Sequence, residues 1–255
     1  MTTVISVANQ KGGIGKTTTA TSVATILSNK GYKTLLIDSD LQCNSTDTYR
    51  AAFDGVETLY DVLLEDKPVD INSAIQHTEM GDIIAADPLL READSKLSTR
   101  GIAGYKVLKK ALSNLHGYDF VIIDTAPAIN MILRNVLTAS DYVIIPITAD
   151  RYGFQGLFEL NVSIKDAQEL NEDLKIAGVL LVRYNQRTVL AREVRETLSK
   201  EATNMDTRLF NTTIRECNKV KEAQTVQLTL PKYDKSCTAS KDYADFTDEL
   251  LKEIC

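Results

Sequence analysis

Residues 9 to 20, NQKGGIGKTTTA, contain three glycines and two lysines that lie five positions apart. Glycine has no Cβ, so the backbone N–H groups of such a loop can converge on an anion. A helix that begins near Lys16 would add its positive dipole end at the same point. This combination is typical of a loop that binds the phosphates of a nucleotide. The predicted nucleotide-binding residues are Gly12, Gly13, Ile14, Gly15, Lys16, Thr17 and Thr18.

The residues before and inside this loop support the same prediction. Residues 3 to 8, TVISVA, are almost continuously apolar and rich in β-branched side chains, which predicts a buried strand leading into the loop. Lys16 would then reach the β and γ phosphates, and the Thr17 hydroxyl would bind Mg²⁺. A strict version of the motif has glycine where this chain has Gln10, and Lys11 is an additional charge. Taken by itself, Lys11 is equally consistent with a solvated loop lysine.

A second predicted strand ends in two carboxylates, within LLIDSDLQCNST at residues 35 to 46. Side chains two residues apart in an extended chain point to the same side, so Asp38 and Asp40 would lie together. We predict that one of these two carboxylates attends a hydrated Mg²⁺ and that the other orients a water molecule toward the γ phosphate. Without a phosphate loop nearby, the same pattern is more often a solvated turn.

A third predicted strand, within YDFVIIDTAP at residues 118 to 127, ends in Asp124. A charge at the end of so apolar a run is costly to bury unless a cation or hydrogen bonds compensate it. We predict that Asp124 holds Mg²⁺ through water. The alternative is an aspartate that caps the following segment.

The order of apolar runs indicates the fold class. Runs of strand-like residues alternate with segments whose apolar positions lie three and four apart, which is typical of helices packed on a sheet. The chain is therefore predicted to be an α/β protein with a single doubly wound, mostly parallel sheet flanked by helices. Beyond residues 3 to 8, strands are predicted at 33–38, 82–86, 119–124, 142–147 and 175–182, and helices at 16–30, 104–116, 153–171, 189–202 and 239–254. Residues 39 to 81 are predicted to be the most irregular insertion.

Length and composition restrict the possible classes of protein. The 255 residues are 44% hydrophobic, which is enough for one substantial core, and we expect residues 1 to 255 to form one domain. The four cysteines include no C-x-x-C pair, so a disulfide framework or a zinc site is not expected. No segment reaches the roughly 20 apolar residues of a membrane span, and residues 1 to 8 do not read as a signal peptide. We expect a cytoplasmic protein.

The string KGGIGKTT at residues 11 to 18 resembles the deviant Walker A motif of the group formed by ParA, MinD and the nitrogenase iron protein. The segments 38–40 and 118–160 are similar to those of ParA proteins, and the resemblance extends from Val4 to about Leu251. It implies an ATPase that uses ATP and Mg²⁺ and dimerises in the ATP state. In that family the additional lysine, here Lys11, reaches the nucleotide of the other subunit. The catalytic residues that the resemblance implies are Lys11, Lys16 and Asp40. With Asp40 as the residue that orients water, the role of attending Mg²⁺ falls to Asp38. Leu41 and Cys43 depart from the family pattern, which has proline and glycine there.

The resemblance also implies what the protein acts on. ParA-type dimers bind double-stranded DNA without sequence preference and release it after hydrolysis stimulated by a ParB-like centromere-binding partner. The protein would then serve segregation of a plasmid, a chromosome region or a mobile element, and would associate with the nucleoid when ATP is bound. The chain begins directly with its first predicted strand, so we expect no N-terminal helix-turn-helix extension.

The final third of the chain supplies candidate base and DNA contacts. By resemblance, Asn185 would contact adenine, Arg187 would contact DNA, and Lys219 keeps a basic residue of the family pattern. Residues 183 to 221 contain nine basic and five acidic side chains, although the whole chain has a net charge of −6. Arg192 and Arg195 are three apart on a predicted helix and share a face, so they could bind phosphates. The equal alternative is a surface helix whose arginines pair with its own glutamates.

Two other classes of function remain possible from the sequence. A MinD-like positioning ATPase would end in a basic amphipathic helix that binds anionic lipid. Here the last helix is acidic, so membrane binding is not expected. A metabolic P-loop enzyme that phosphorylates or amidates a small molecule would need its own polar substrate pocket, and the sequence contains no further polar cluster of that kind.

Overall fold

The computed structural model describes residues 2–64, 69–185 and 189–254. Within these ranges the strands are β1 (Thr3–Val7), β2 (Thr34–Asp38), β3 (Ile75–Thr78), β4 (Gly81–Ile84), β5 (Phe120–Asp124), β6 (Tyr142–Thr148), β7 (Lys175–Tyr184) and β8 (Ile214–Arg215). The helices are α1 (Lys16–Asn29), α2 (Asn44–Thr48), α3 (Leu59–Leu63), α4 (Leu90–Ser98), α5 (Val107–Leu112), α6 (Met131–Ala139), α7 (Arg151–Gln168), α8 (Val189–Asn204), α9 (Lys219–Thr225), α10 (Leu230–Tyr233) and α11 (Thr238–Ile254), with a 3₁₀ helix at Gly101–Tyr105.

The strands form one eight-stranded sheet in the order β3-β4-β2-β5-β1-β6-β7-β8. All neighbouring strands run parallel except β3, which pairs with β4 in the antiparallel sense at one edge. The central strands β1, β2 and β5 are buried almost throughout, as their continuous apolar sequence predicts. The predicted fold class is confirmed.

Both faces of the sheet are covered by helices. On one face, Leu36 and Ile122 pack in a cluster with α1 and α11, and the hydroxyls of Thr19 and Tyr243 lie 3.0 Å apart between these two helices. The alternate residues of β2, such as Leu35, point to the opposite face and pack with α3, α4 and α6. A further cluster joins β6 and β7 to α7 and α8. Because both faces of the sheet are covered, the central strands β2 and β5 consist of apolar residues apart from their first or last positions.

Two segments differ from the sequence prediction. Residues 39 to 81 contain α2, α3 and the edge strand β3, so they are more regular than predicted. The predicted helix at 104–116 is divided into a 3₁₀ helix and the shorter α5. At the division, an added Cβ on Gly104 would lie only 2.3 Å from the Leu97 carbonyl oxygen. This close approach and the hydrogen bond from Asn135 Nδ2 to the Gly104 carbonyl fix the 3₁₀ segment against α4 and α6.

The strand order brings three chemically important strand ends together. Asp124 at the end of β5 lies beside Val7 of β1 on one side and beside Asp38 of β2 on the other. The glycine-rich loop follows β1 directly. Since ligands of doubly wound sheets bind beyond the carboxyl ends of the strands, this edge is the expected site.

Candidate nucleotide and magnesium site

The loop between β1 and α1 has the backbone geometry of a phosphate cradle. Gly13 and Gly15 have φ angles of 71° and 86°, in the left-handed region that other residues rarely adopt. No atom lies within 4 Å of the position that a Cβ on Gly12, Gly13 or Gly15 would occupy, so the backbone N–H groups can be approached closely. The loop opens into a cavity of about 700 Å³, which is large enough for a nucleotide.

Asn9 anchors the start of this loop. Its Nδ2 donates to the Pro146 carbonyl oxygen at 2.7 Å, and its Oδ1 accepts from the Lys11 amide at 3.0 Å. Asn9 is buried, and these bonds connect the loop to β6 across 137 residues of sequence. The sequence prediction missed this role, because the partner of Asn9 is a backbone carbonyl that no motif reveals.

Lys16 is buried at the start of α1, with its ammonium group in the cradle. Its Nζ donates to the Lys11 carbonyl oxygen at 3.0 Å. Burial lowers the pKa of Lys16, against the charges of Asp124 and Asp40, which raise it. A buried ammonium group with two carboxylates nearby would be stabilised further by phosphate oxygens.

Asp124 and Asp38 lie next to each other beneath the loop, and both are completely buried. Asp124 Oδ2 accepts a hydrogen bond from Ser45 Oγ at 2.8 Å, and the Thr17 side chain lies near enough to this carboxylate to favour its ionised form. Asp38 Oδ2 accepts from the amide and hydroxyl of Thr46, both at 2.8 Å. The second Asp38 oxygen accepts from the Asp40 amide at 3.0 Å.

The protonation equilibria of this pair are strongly shifted. Burial, and then the Asp124 charge, raise the pKa of Asp38 to about 7 despite its hydrogen bonds. Burial likewise raises the pKa of Asp124 to about 6, although the bonds from Thr17 and Ser45 oppose the shift. Two carboxylates held together in a buried place are best stabilised by a cation.

The residues present fit a magnesium ion. Asp124 Oδ1 is buried and, within the described residues, accepts no hydrogen bond. The Thr17 side chain lies near the same carboxylate, and both groups carry hard oxygen ligands of the kind that Mg²⁺ takes together with water and phosphate oxygens. Asp38 is hydrogen-bonded on both oxygens, so it can act on a hydrated ion through its charge.

Asp40 lies just after β2, and its surroundings differ from those of Asp38. It lines the cavity, and its Oδ1 accepts from the Gln42 amide at 2.9 Å. That bond holds one carboxylate oxygen, and within the described part of the chain the other oxygen accepts no hydrogen bond. A carboxylate placed in this way can orient a water molecule.

Lys11 is not among the described residues that line the nucleotide cavity of its own chain. Its Nζ lies 2.7 and 2.8 Å from the two carboxylate oxygens of Asp150 and 3.2 Å from Thr148 Oγ1. These partners lie at and just after the end of β6. The sequence prediction named Lys11 but did not identify its partner, which lies 139 residues away.

The far end of the cavity is formed by residues that the sequence analysis did not identify as ligands. They are contributed by the end of β7, by β8 and by α9, and they include Val182, Arg183, Glu216, Cys217, Val220 and Gln224. Arg183 pairs with Glu216 at 2.8 Å across this end. The predicted base contact, Asn185, is exposed immediately after β7, close to this wall in sequence.

The predicted DNA contacts lie beyond this wall. Arg187 falls outside the described residues. Arg192 is exposed on α8, and the Arg195 guanidinium donates to the Asn211 carbonyl oxygen at 3.1 Å. Lys219 pairs with Glu222 at 2.7 Å at the start of α9. The structure therefore places these three residues on two different elements at the surface.

Comparison with known proteins agrees with this geometry. The sequence profile of an AAA domain family matches residues 2–176. The chain is 34% identical to the sporulation initiation inhibitor protein Soj of Bacillus subtilis, with 97% of both chains covered. It is 32% identical to the chromosome partitioning protein ParA of Caulobacter vibrioides, covering 97% of this chain and 93% of that protein.

A solved structure is similar over nearly the whole chain. It is that of cobyrinic acid a,c-diamide synthase from Mycobacterium smegmatis with bound ADP and magnesium. The TM-score is 0.83 at 31% identity, with 99% of this chain and 95% of that chain covered.

The parallel sheet, the glycine-rich cradle and the buried carboxylates define a P-loop ATPase whose cofactors are ATP and Mg²⁺. More specifically, the chain belongs to the ParA/Soj family of partition ATPases. Among the described helices, none combines the length and the apolar character that crossing a membrane requires.

Proposed function

We propose that this ATPase partitions DNA by a cycle of dimerisation and release. Two chains form a homodimer around two ATP·Mg²⁺, and the dimer binds double-stranded DNA nonspecifically. Hydrolysis, stimulated by a ParB-like centromere-binding partner, separates the chains and releases the DNA. The cycle serves segregation of a plasmid, a chromosome region or a mobile element, and associates the ATP-bound protein with the nucleoid.

The observation that carries this proposal is the position of the Lys11 side chain. Lys16 already supplies an ammonium group to the cradle of its own chain, whereas Lys11 Nζ is bound at Asp150, away from that cradle. A phosphate-loop lysine that faces outward is suited to the nucleotide of a second chain. The γ phosphate would then link the two subunits electrostatically, and its loss would remove that link.

The residues of the site have separate roles in hydrolysis. Lys16 binds the phosphates, and Thr17 and Asp124 hold Mg²⁺, with Asp38 contributing charge behind them. When bound there, Mg²⁺ would supply positive charge that neutralises the phosphates. Asp40 orients the attacking water from the cavity wall. Phosphoryl transfer depends mainly on positioning and charge neutralisation, so this set of groups is sufficient.

We assign the contacts with adenine and with DNA to residues at and beyond the far wall of the cavity. Asn185 contacts adenine near the end of β7. Arg187, Arg192, Arg195 and Lys219 contact DNA phosphates. The Arg195 guanidinium contacts a carbonyl oxygen and not a carboxylate, so its positive charge is not neutralised. Up to four of its five N–H donors remain for other partners. Both points support a phosphate-binding role. Dimerisation doubles this basic surface.

The last helix argues against a MinD-like membrane ATPase. Tyr243, Phe246 and Leu250 form the apolar face of α11, and all three are buried in the core against α1. The face that would enter a lipid headgroup region is therefore occupied by the protein itself. The acidic residues of α11 oppose binding to anionic lipid as well.

Light scattering and sedimentation test the proposal together. With a nonhydrolysable ATP analogue and Mg²⁺, the protein should have the mass of a dimer and should sediment with DNA, but not with anionic liposomes. With ADP it should be a monomer and remain in the supernatant. A monomer with saturating analogue would disprove the dimer, and sedimentation with liposomes alone would favour the membrane class. ATP turnover that requires a small-molecule acceptor and ignores DNA would favour a metabolic enzyme.

A further inference from the structure

Two small polar residues of α2 hold the carboxylates of the candidate magnesium site. Ser45 and Thr46 are adjacent in the chain, and both are buried. The Ser45 hydroxyl donates to Asp124 Oδ2 at 2.8 Å, whereas the hydroxyl and the amide of Thr46 both donate to Asp38 Oδ2 at 2.8 Å. One short helix therefore holds both aspartates, each through a different residue.

The main chain of Asp124 is held independently of this helix. The residue ends β5, where it lies beside Val7 of β1 and beside Asp38 of β2. Its carbonyl oxygen accepts hydrogen bonds from the Ser39 amide at 3.0 Å and from Ser39 Oγ at 2.6 Å. With the backbone held in this way, the carboxylate can change its orientation only by rotation about χ1 and χ2. The groups that bond its oxygens then decide that orientation.

The hydrogen bond from Ser45 sets the rotation of the Asp124 carboxylate. The χ2 angle of an aspartate is broadly distributed, so a donor fixed on one oxygen also sets the direction of the other. Ser45 Oγ holds Oδ2, and Oδ1 is the buried oxygen that accepts no hydrogen bond within the described residues. A buried carboxylate oxygen without a partner is costly unless a cation or a water molecule bonds it. The Ser45 bond therefore leaves Oδ1 available in one fixed direction.

The same helix holds Asp38 differently. In addition to the two bonds from Thr46 to Oδ2, Asp38 Oδ1 accepts from the Asp40 amide at 3.0 Å. The Thr46 hydroxyl is itself held in place, because its oxygen accepts from the Ala86 amide at 2.9 Å. Three donors thus share the Asp38 carboxylate. It has less free capacity for a metal than Asp124, whose Oδ1 has no donor among the described residues.

We propose that Ser45 is a positioning residue for Mg²⁺. Its hydroxyl fixes Asp124 so that Oδ1 is free to bind the metal or one of its waters, while Thr46 holds Asp38 as a neighbouring charge that does not bind the metal directly. The role rests on the assignment of Mg²⁺ to Asp124 under the proposed function. Ser45 acts by holding a ligand in the orientation that the metal requires, so its loss costs metal affinity and not affinity for the nucleotide alone.

Titration of Mg²⁺ into the full-length protein with bound fluorescent ADP tests the proposal. Ser45→Ala should weaken Mg²⁺ binding by about tenfold, within the usual range for loss of a group that orients a metal ligand. Its affinity for ADP in the presence of a chelator should equal that of the parent, which also shows that the variant is folded. Ser45→Cys keeps a weaker donor in a similar volume, so its Mg²⁺ affinity should lie between those of the parent and Ser45→Ala.

Two further variants of α2 are the matched controls. Thr48→Ala removes a hydroxyl that donates to the Asn44 carbonyl oxygen, and it should leave Mg²⁺ binding unchanged. Thr46→Val removes one donor from Asp38 and leaves the Ala86 amide without its acceptor, so it should lower stability to urea. It should change Mg²⁺ affinity much less than Ser45→Ala does. Equal losses of Mg²⁺ affinity in Thr46→Val and Ser45→Ala would overturn the specific role of Ser45.

The Mg²⁺ dependence of hydrolysis gives a second readout. Ser45→Ala should need about tenfold more Mg²⁺ for half-maximal ATP turnover and should approach the parental rate at saturating Mg²⁺. A rate that stays low at every Mg²⁺ concentration, with unchanged Mg²⁺ affinity, would overturn the positioning role.

Asp124→Asn separates this role from the proposed function. If Asp124→Asn leaves Mg²⁺ affinity unchanged, the metal assignment is wrong and the role of Ser45 is wrong with it. If Asp124→Asn weakens Mg²⁺ binding and Ser45→Ala does not, only the role of Ser45 is wrong. The titration with ADP needs neither DNA nor a partner protein, so its result does not depend on the partition cycle.

Discussion

Lys11 and Lys16 both carry a positive charge at the phosphate loop, but the structure gives them different surroundings. Lys16 is buried in the cradle. Within the described residues its Nζ donates one hydrogen bond, to the Lys11 carbonyl oxygen. Lys11 is bound to Asp150 outside the cradle. Spacing alone cannot distinguish the two roles, and this contrast makes them separable by mutation.

Lys16→Ala should lower nucleotide affinity by roughly 100-fold or more. Among the described residues that line the cavity, Lys16 is the only basic residue that is buried, and the change removes its charge. Titration with a fluorescent ADP measures this loss. Lys11→Ala is the matched control, since it removes the same charge from the same loop. It should bind ADP nearly as well as the parent and should remain a monomer with ATP. If the two variants lost ADP affinity equally, the separation of roles would be wrong.

Asp40→Ala should leave ATP bound and the dimer persistent, while hydrolysis falls by about 100-fold or more, the usual range for loss of a positioned acid or base. Single-turnover hydrolysis of ATP measures the change. Asp47→Ala is a suitable control because Asp47 also lines the cavity but bonds the Gln227 side chain. Hydrolysis at the parental rate in Asp40→Ala would refute the catalytic assignment.

The pair Asp38 and Asp124 should make the metal-free protein less stable as the pH rises. Their folded pKa values of about 7 and about 6 lie above the ordinary value of 3.8, so the folded state binds protons more tightly than the unfolded chain. The stability that they contribute is complete below about pH 4 and is lost as the pH rises through 6 to 7.

Urea unfolding between pH 5.5 and 8 measures this effect, which we expect to be on the order of a few kcal/mol. Mg²⁺ should add more stability at pH 8 than at pH 5.5, since it competes with protons for the same carboxylates. Asp124→Asn should reduce both the pH dependence and the Mg²⁺ effect. A variant profile that matched the parent would show that other groups cause the slope.

At the scale of elements, β7 is closely packed at Gly178. The Phe210 ring lies over Gly178, and an added Cβ there would come within 2.5 Å of the ring. Phe210 also meets Phe246 of α11 edge to face, with ring centroids 4.9 Å apart. The far wall of the cavity follows β7, so this packing supports the site as well as the fold.

Gly178→Ala should destabilise the protein by about 1 to 3 kcal/mol, the usual cost of overpacking a core. The midpoint of urea unfolding measures it. Phe210→Leu combined with Gly178→Ala should recover part of the loss, because the smaller side chain makes room for the methyl group. Simple additivity of the two single changes would mean that the ring contact is not the cause.

Several elements could be predicted from the chain and others could not. The strands β1, β2 and β5 are continuous apolar runs, and α1 follows a glycine-rich loop, so local sequence was enough. The helix α6 and the two-residue strand β8 were not predicted. Met131–Ala139 is bounded by the cap Asn130 but has too few turns for a clear period, and β8 exists only because β7 offers it a partner.

At the scale of the whole molecule, charge is distributed unevenly along a chain whose net charge is −6. Residues 183 to 221 have an excess of basic side chains, although Arg183, Arg208 and Arg215 pair with carboxylates. The local surface around α8, and not the overall sum, decides whether a polyanion binds.

Arg192→Ala with Arg195→Ala should weaken DNA binding by the ATP-state dimer and lower the slope of log affinity against log salt by about 2 to 4. Filter binding at several salt concentrations measures both quantities. Lys106→Ala with Lys110→Ala removes two exposed charges at α5 and serves as the control. Equal losses in the two double variants would indicate a general charge effect instead of a DNA surface on α8.

The sequence by itself determined the phosphate loop and the positions of Asp38, Asp40 and Asp124, because each depends on a strand and the few residues that follow it. Neighbouring residues fix that geometry through backbone periodicity alone. The prediction of a nucleotide-binding protein follows from these motifs, and the prediction of the fold class follows from the order of the elements that contain them.

Only the tertiary structure decided which of these groups face the cavity and what holds the others. The contact of Lys11 with Asp150 joins residues 139 positions apart, and the anchoring of Asn9 on β6 joins residues 137 positions apart. Such contacts depend on strand order and on helices returning across the sheet. No local pattern encodes them, since the same motif could be folded beside different neighbours.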